Sequence, residues 1–150
     1  MDEIMVILEG SGIATSLRFS RWAYPIVNIV HVLGLAALFG AILALDLRLI
    51  GLWRTVDAVA VSRPAVAVAA GGLAVAAASG FLLFIVRASE YVGMPVFWVK
   101  LAFVAAGLAN VAAARILRLQ ARAPVLTAGI SIACWTSAIA AGRLIGYWDG

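Results

Sequence analysis

Charged side chains fall at intervals along this chain and leave long stretches without any. Residues 22–45 form 24 uncharged positions between Arg21 and Asp46, residues 64–86 form 23 between Arg63 and Arg87, and residues 123–142 form 20 between Arg122 and Arg143. Each matches the roughly 20 apolar residues that carry a helix across a hydrocarbon core of about 30 Å. A fourth stretch is shorter, with 14 uncharged residues between Lys100 and Arg115. A spanning helix there takes in both cations, whose long side chains reach outward from one turn inside either end. The alternating pattern of barrel strands is missing, and in lipid only helices or closed barrels satisfy every backbone group. The pattern therefore predicts an all-α, polytopic membrane four-helix bundle forming one domain over residues 1–150, with spans near 22–45, 64–86, 97–117 and 124–146.

The first 21 residues read differently. Two short apolar faces, at 4–8 and 13–19, are interrupted by Gly10 and Gly12 and flanked by Arg18 and Arg21. This predicts a short N-terminal segment lying in the membrane interface before the first span. The second span is rich in Ala, Gly and Val over residues 66–80, which predicts close helix approach and makes it the expected most enclosed helix.

Composition sharpens the picture. Of 150 residues 65% are hydrophobic and 12% charged, with mean hydropathy +1.11, so too few polar groups exist to cover a small soluble domain. A water-soluble enzyme, a disordered tail and a nucleic-acid-binding module are excluded. With a single cysteine, Cys134, and a single histidine, His31, neither an internal disulfide nor a zinc site of several Cys and His is available. Basic residues divide five to six between the two membrane sides, and with the acids the sides carry net charges of 0 and +4. The more positive side holds the first and third loops, so both termini are expected outside the cytoplasm.

Among residues able to carry chemistry, His31 comes first. It lies about nine residues into the first span, roughly 12 Å below the interface, where a polar ring needs a partner and should point into the bundle. Asn28 and Gly34, three residues to either side, share its face. The glycine is expected to leave room for something flat. Arg21, Arg87, Lys100 and Arg143 belong to the same end of the bundle. An imidazole beneath a cationic rim suits a haem, whose iron takes a nitrogen ligand while the propionates pair with Arg or Lys. The competing reading is a neutral histidine bonded to Asn28 or a neighbouring hydroxyl, under cations that reach for lipid phosphates. At the other end, Asp46 is expected to pair with Arg115 or Arg118 and fix helix register. Asn110, Ser131, Thr136 and Ser137 are expected to bond between helices. Trp22, Trp53, Trp98 and Trp148 fall at interfaces, leaving Trp135 in mid-membrane.

The runs Ser20-Arg21-Trp22-Ala23-Tyr24-Pro25, His31-Val32-Leu33-Gly34 and Asp46-Leu47-Arg48-Leu49, with Phe97-Trp98-Val99-Lys100 and Gly142-Arg143-Leu144 later, resemble a bacterial four-helix membrane family of unknown function. The resemblance implies a multi-pass protein of the bacterial inner membrane. A looser similarity reaches copper-resistance D-type membrane domains and the small haem-containing membrane protoporphyrinogen oxidases. Those oxidases likewise carry a first-helix histidine and a lysine opening the third helix; the similarity implies a haem ligand at His31 and a matching role for Lys100. The chain departs from them at Asn110, where they carry a further histidine, and lacks a tryptophan soon after the first histidine. The functions expected are binding of a b-type haem or a quinone-linked redox role through His31, with His31 as metal ligand. The alternative is a non-enzymatic structural or assembly subunit, as a homo-oligomer or with a membrane-complex partner. The lipid bilayer is the expected surrounding in either case.

Overall fold

The computed structural model describes residues 2–148; the side chains of Asp2 and Ala58, and Asp149, lie outside the described residues. Most of the described residues are helical: α1 (Asp2–Glu9), α2 (Gly12–Phe19), α3 (Ala23–Ile50), α4 (Ala58–Val86), α5 (Ala88–Gly93), α6 (Pro95–Ile116), α7 (Leu119–Arg122) and α8 (Pro124–Leu144), then a 3-10 turn over Ile145–Tyr147. No strand occurs among the described residues. Four helices, α3, α4, α6 and α8, are long and apolar enough to cross a membrane. The protein is an all-α four-helix membrane bundle.

Two helices overrun the limits that charge alone set. α3 continues through Asp46 and Arg48 and stops where Gly51 takes φ 117°, a left-handed conformation that costs glycine little. Asp46 is consequently not at a helix end; it is an interior residue with 5% of its surface exposed. α4 begins at Ala58, where the Asp57 carboxylate caps the helix by accepting from the Val59 N–H at 3.1 Å. Arg63 and Pro64 therefore stand inside the helix, and Pro64 has no N–H to offer the turn before it.

The spans pack in the order α4, α3, α8, α6, and α4 hardly touches α6. The closest crossing is between α3 and α4, where glycines meet backbone. A Cβ on Gly72 would stand 2.5 Å from the Leu38 nitrogen, and one on Gly34 would stand 2.8 Å from the Ala76 nitrogen. Lipid tails are as apolar as the helices, so small residues that admit such contact replace the hydrophobic drive of soluble bundles. The expected most enclosed helix is displaced by this arrangement. In α8, which packs on both α3 and α6, 39% of the membrane window is buried, against 22% in α4. Gly72, Ala76 and Ser79 of α4 are buried, while Ala67, Gly71, Ala74 and Ala78 face outward.

The N-terminal segment is a pair of short helices docked on one end of the bundle. Ala14 is fully buried, as is Ala88 of α5, and Ser11 caps α2 by accepting from the Ala14 N–H. The Arg18 guanidinium donates to the Val86 carbonyl at the end of α4. Glu9 accepts from the Ser89 N–H at 2.7 Å, and this hydrogen bond, above all, holds its carboxyl below the ordinary 4.5. Trp22, Trp53, Trp98 and Trp148 are exposed, as belt residues should be, and Trp135 is buried.

Candidate functional site

His31 occupies the inward face of α3, one turn before the glycine crossing, and its ring is half-buried against α4. Its Nδ1–H donates to the Ala76 carbonyl at 2.9 Å and is shared with the Ser79 hydroxyl oxygen at 3.1 Å. Ser79 in turn donates to the Val75 carbonyl. Because a carbonyl only accepts, the proton of a neutral imidazole sits on Nδ1 and the lone pair on Nε2. Gly80 gives the ring its place: a Cβ there would come within 3.0 Å of His31 Cε1.

The residues expected around His31 are only partly brought to it. Asn28 shares the helix face but is exposed, and the imidazole's bonds go to α4 instead. Gly34 leaves no vacant shelf, because the α4 backbone fills the space beside it. Lys100 sits in the first turns of α6 with its chain along Gly142 of α8, where an added Cβ would lie 3.6 Å from Cδ and Cε. Among the described residues, no hydrogen bond or ion pair engages its ammonium. The three arginines are exposed and each meets a near neighbour. Arg21 lies over the Trp22 ring, Arg87 pairs with Glu90 at 3.2 Å, and Arg143 donates to the Tyr147 hydroxyl at 2.6 Å.

An aromatic group closes this end. Phe84, Tyr91 and Phe97 stack on one another with ring centroids 5.6–6.2 Å apart, joining α4, α5 and α6. Burial, with Tyr24 nearby, pushes the Tyr91 phenol up to about 12, so it stays a neutral donor.

No family model, curated protein or solved structure matches this chain. The chemistry has to be read from the residues themselves.

Sequence reasoning had no place for Ser79 and Gly80, yet they seat the imidazole. A signal existed, since Ser79 is the one hydroxyl in the small-residue run of 66–80, and a lone polar group in such a helix seeks a partner. Asp46 also differs from expectation. Among the described residues the ion pairs are Glu9 with Arg18 and Arg87 with Glu90, and Arg115 and Arg118 are exposed. Asp46 lies inward on α3 rather than at its end, and one of its carboxylate oxygens has no partner. Asn110 does bond between helices as expected, donating to the Thr127 carbonyl at 3.1 Å.

Proposed function

We propose that this is a multi-pass protein of the bacterial inner membrane, with both termini outside the cytoplasm, that holds a b-type haem on His31. The observation that carries the reading is the hydrogen bond from Nδ1–H to the Ala76 carbonyl. Histidines that ligate metals characteristically donate their other nitrogen to a carbonyl or carboxylate, which fixes the tautomer and strengthens the ligating lone pair. The donor set thus fits one axial nitrogen ligand. Lys100, inside the span and without a partner among the described residues, and Arg143 at the rim are the cations suited to propionates; Arg21 and Arg87 are exposed beside Trp22 and Glu90. Bound haem would supply one-electron redox chemistry. The protein's own residues orient the imidazole through Ala76 and Ser79.

An absorption spectrum of protein purified with its lipids tests this. A Soret band that disappears in His31→Ala and shifts or weakens in Lys100→Ala is expected. A colourless preparation that is folded by circular dichroism would overturn it. The second reading, a non-enzymatic assembly subunit, is favoured by the same histidine acting as a tie between α3 and α4. It would show as an intact, colourless complex with a stoichiometric partner.

A further inference from the structure

The opposite half of the bundle holds a cavity that the His31 reading does not use. Its volume is about 200 Å³, and all four spans line it, mostly with Leu, Val and Ala. An apolar cavity of about 150 Å³ is enough for benzene, whereas a water molecule's share of liquid is only about 30 Å³. The space suits one substituted ring.

Two polar side chains of its wall each keep one atom unanswered, although Ser131 stands beside the Asp46 carboxyl. Asp46 is 5% exposed and Trp135 4%, and both line the cavity. Asp46 Oδ2 and Trp135 Nε1 are buried without a hydrogen-bond partner, and they alone are so among the described residues. Buried polar atoms are nearly always bonded, so orphans grouped at one cavity call for an explanation. One is an acceptor on a carboxyl group and the other is a donor only. The space beside Trp135 is itself built, because the indole lies on Gly107 of α6, where an added Cβ would be 3.0 Å from the ring.

We infer that this cavity binds an uncharged one-ring phenol or hydroquinone, its hydroxyl hydrogen donated to Asp46 and an oxygen accepting from the Trp135 indole N–H. The ring answers the aliphatic wall, and hydroxyl oxygens supply both the donor and the acceptor that the wall lacks. An organic cation would satisfy the carboxylate but leave the indole without an acceptor. It would also bring a like charge toward Arg115, which lines the same cavity. Entry is from the hydrocarbon, since α4 and α6 both contribute to the wall and hardly touch each other.

Titration calorimetry on the full chain in lipid nanodiscs tests the assignment, with trimethylhydroquinone kept reduced under argon as the probe. Saturable binding is expected beyond partition into empty nanodiscs. The dimethyl ether of the probe, which keeps the ring and its methyl groups and loses both donors, should bind at least about tenfold more weakly, as should the probe to Trp135→Phe and Asp46→Asn. If either variant fails to fold, Ala69→Leu, which fills the cavity from α4 without touching a polar group, should abolish binding. Absence of saturable binding to the folded wild-type protein would overturn the inference. So would equal binding of the ether, equal binding to the folded variants, or preference for benzyltrimethylammonium. The inference does not rest on His31, and the spectrum of the same preparations reads that proposal separately.

Discussion

The glycine crossing of α3 and α4 can be tested with two adjacent residues. An added Cβ at Gly72 would stand 2.5 Å from the Leu38 nitrogen and 2.8 Å from the Gly34 oxygen, whereas at Gly71 nothing lies within 4 Å. Ordinary contact begins near 3.4 Å, so Gly72→Ala drives the helices apart by about 0.9 Å against backbone that no rotamer change can move. Overpacking of this kind costs about 1–3 kcal/mol. Replacing a helical glycine by alanine returns up to about 1 kcal/mol. Gly72→Ala should therefore lose up to about 2 kcal/mol net, while Gly71→Ala, free of the clash, should gain up to about 1 kcal/mol. The contrast amounts to roughly one to two powers of ten in the folded-to-unfolded ratio. Unfolding in mixed micelles of increasing dodecyl sulfate, followed by circular dichroism, measures it. A local readout is also available, because Ala76 lies one turn beyond Gly72 and receives the His31 hydrogen bond. In Gly72→Ala the nitrogen resonances of His31 should move away from those of a fixed Nδ1–H tautomer. Equal stability of the two variants would refute the reasoning.

Two further outcomes are expected. The Glu9 carboxyl has its pKa lowered in the folded protein by the Ser89 N–H, so its contribution is present above the ordinary 4.5 and is lost as the pH falls through the lowered value. Acid well below 4.5 should release α1 from α5, seen as loss of hydrogen-exchange protection at the Ser89 amide; retained protection would refute the link. Asn110→Leu removes the donor to Thr127 that ties α6 to α8. Interhelical bonds in lipid average about 0.6 kcal/mol, so a loss under about 1 kcal/mol is expected in the same micelle titration. A loss of several kcal/mol would contradict that estimate.

The spans were legible because charge spacing and hydrocarbon thickness together leave little freedom. The boundaries were less so: α3 does not stop at the first charge but at Gly51, since helical hydrogen bonding continues wherever a neighbour covers the side chain. The inward facing of His31 followed from the cost of a polar ring in lipid. Its partners did not follow, because periodicity gives a face of a helix and not the helix that covers it. Gly34 illustrates this. A gap beside the imidazole was readable, but a second glycine, Gly72, lets α4 fill it. Enclosure of α4 was overestimated for a related reason, as small residues permit close approach on every side while only one side meets a neighbour. The cavity at Asp46 is hidden from the sequence because the charge-free span stops at Leu45, five residues before α3 ends at Ile50, and leaves Asp46 looking like a helix-end partner for a cation.

The side-by-side order of the spans bears on how the molecule comes into being. α3 with α4, and α6 with α8, are consecutive in the chain, and each pair packs mainly on itself. The first pair has its glycine crossing and its histidine tie complete before α6 is synthesised, so it can settle in the bilayer alone. Asp46, on that early pair, is covered only once α8 packs against α3. The helix made after the other three spans is thus the one that joins the two halves and finishes the chamber between them.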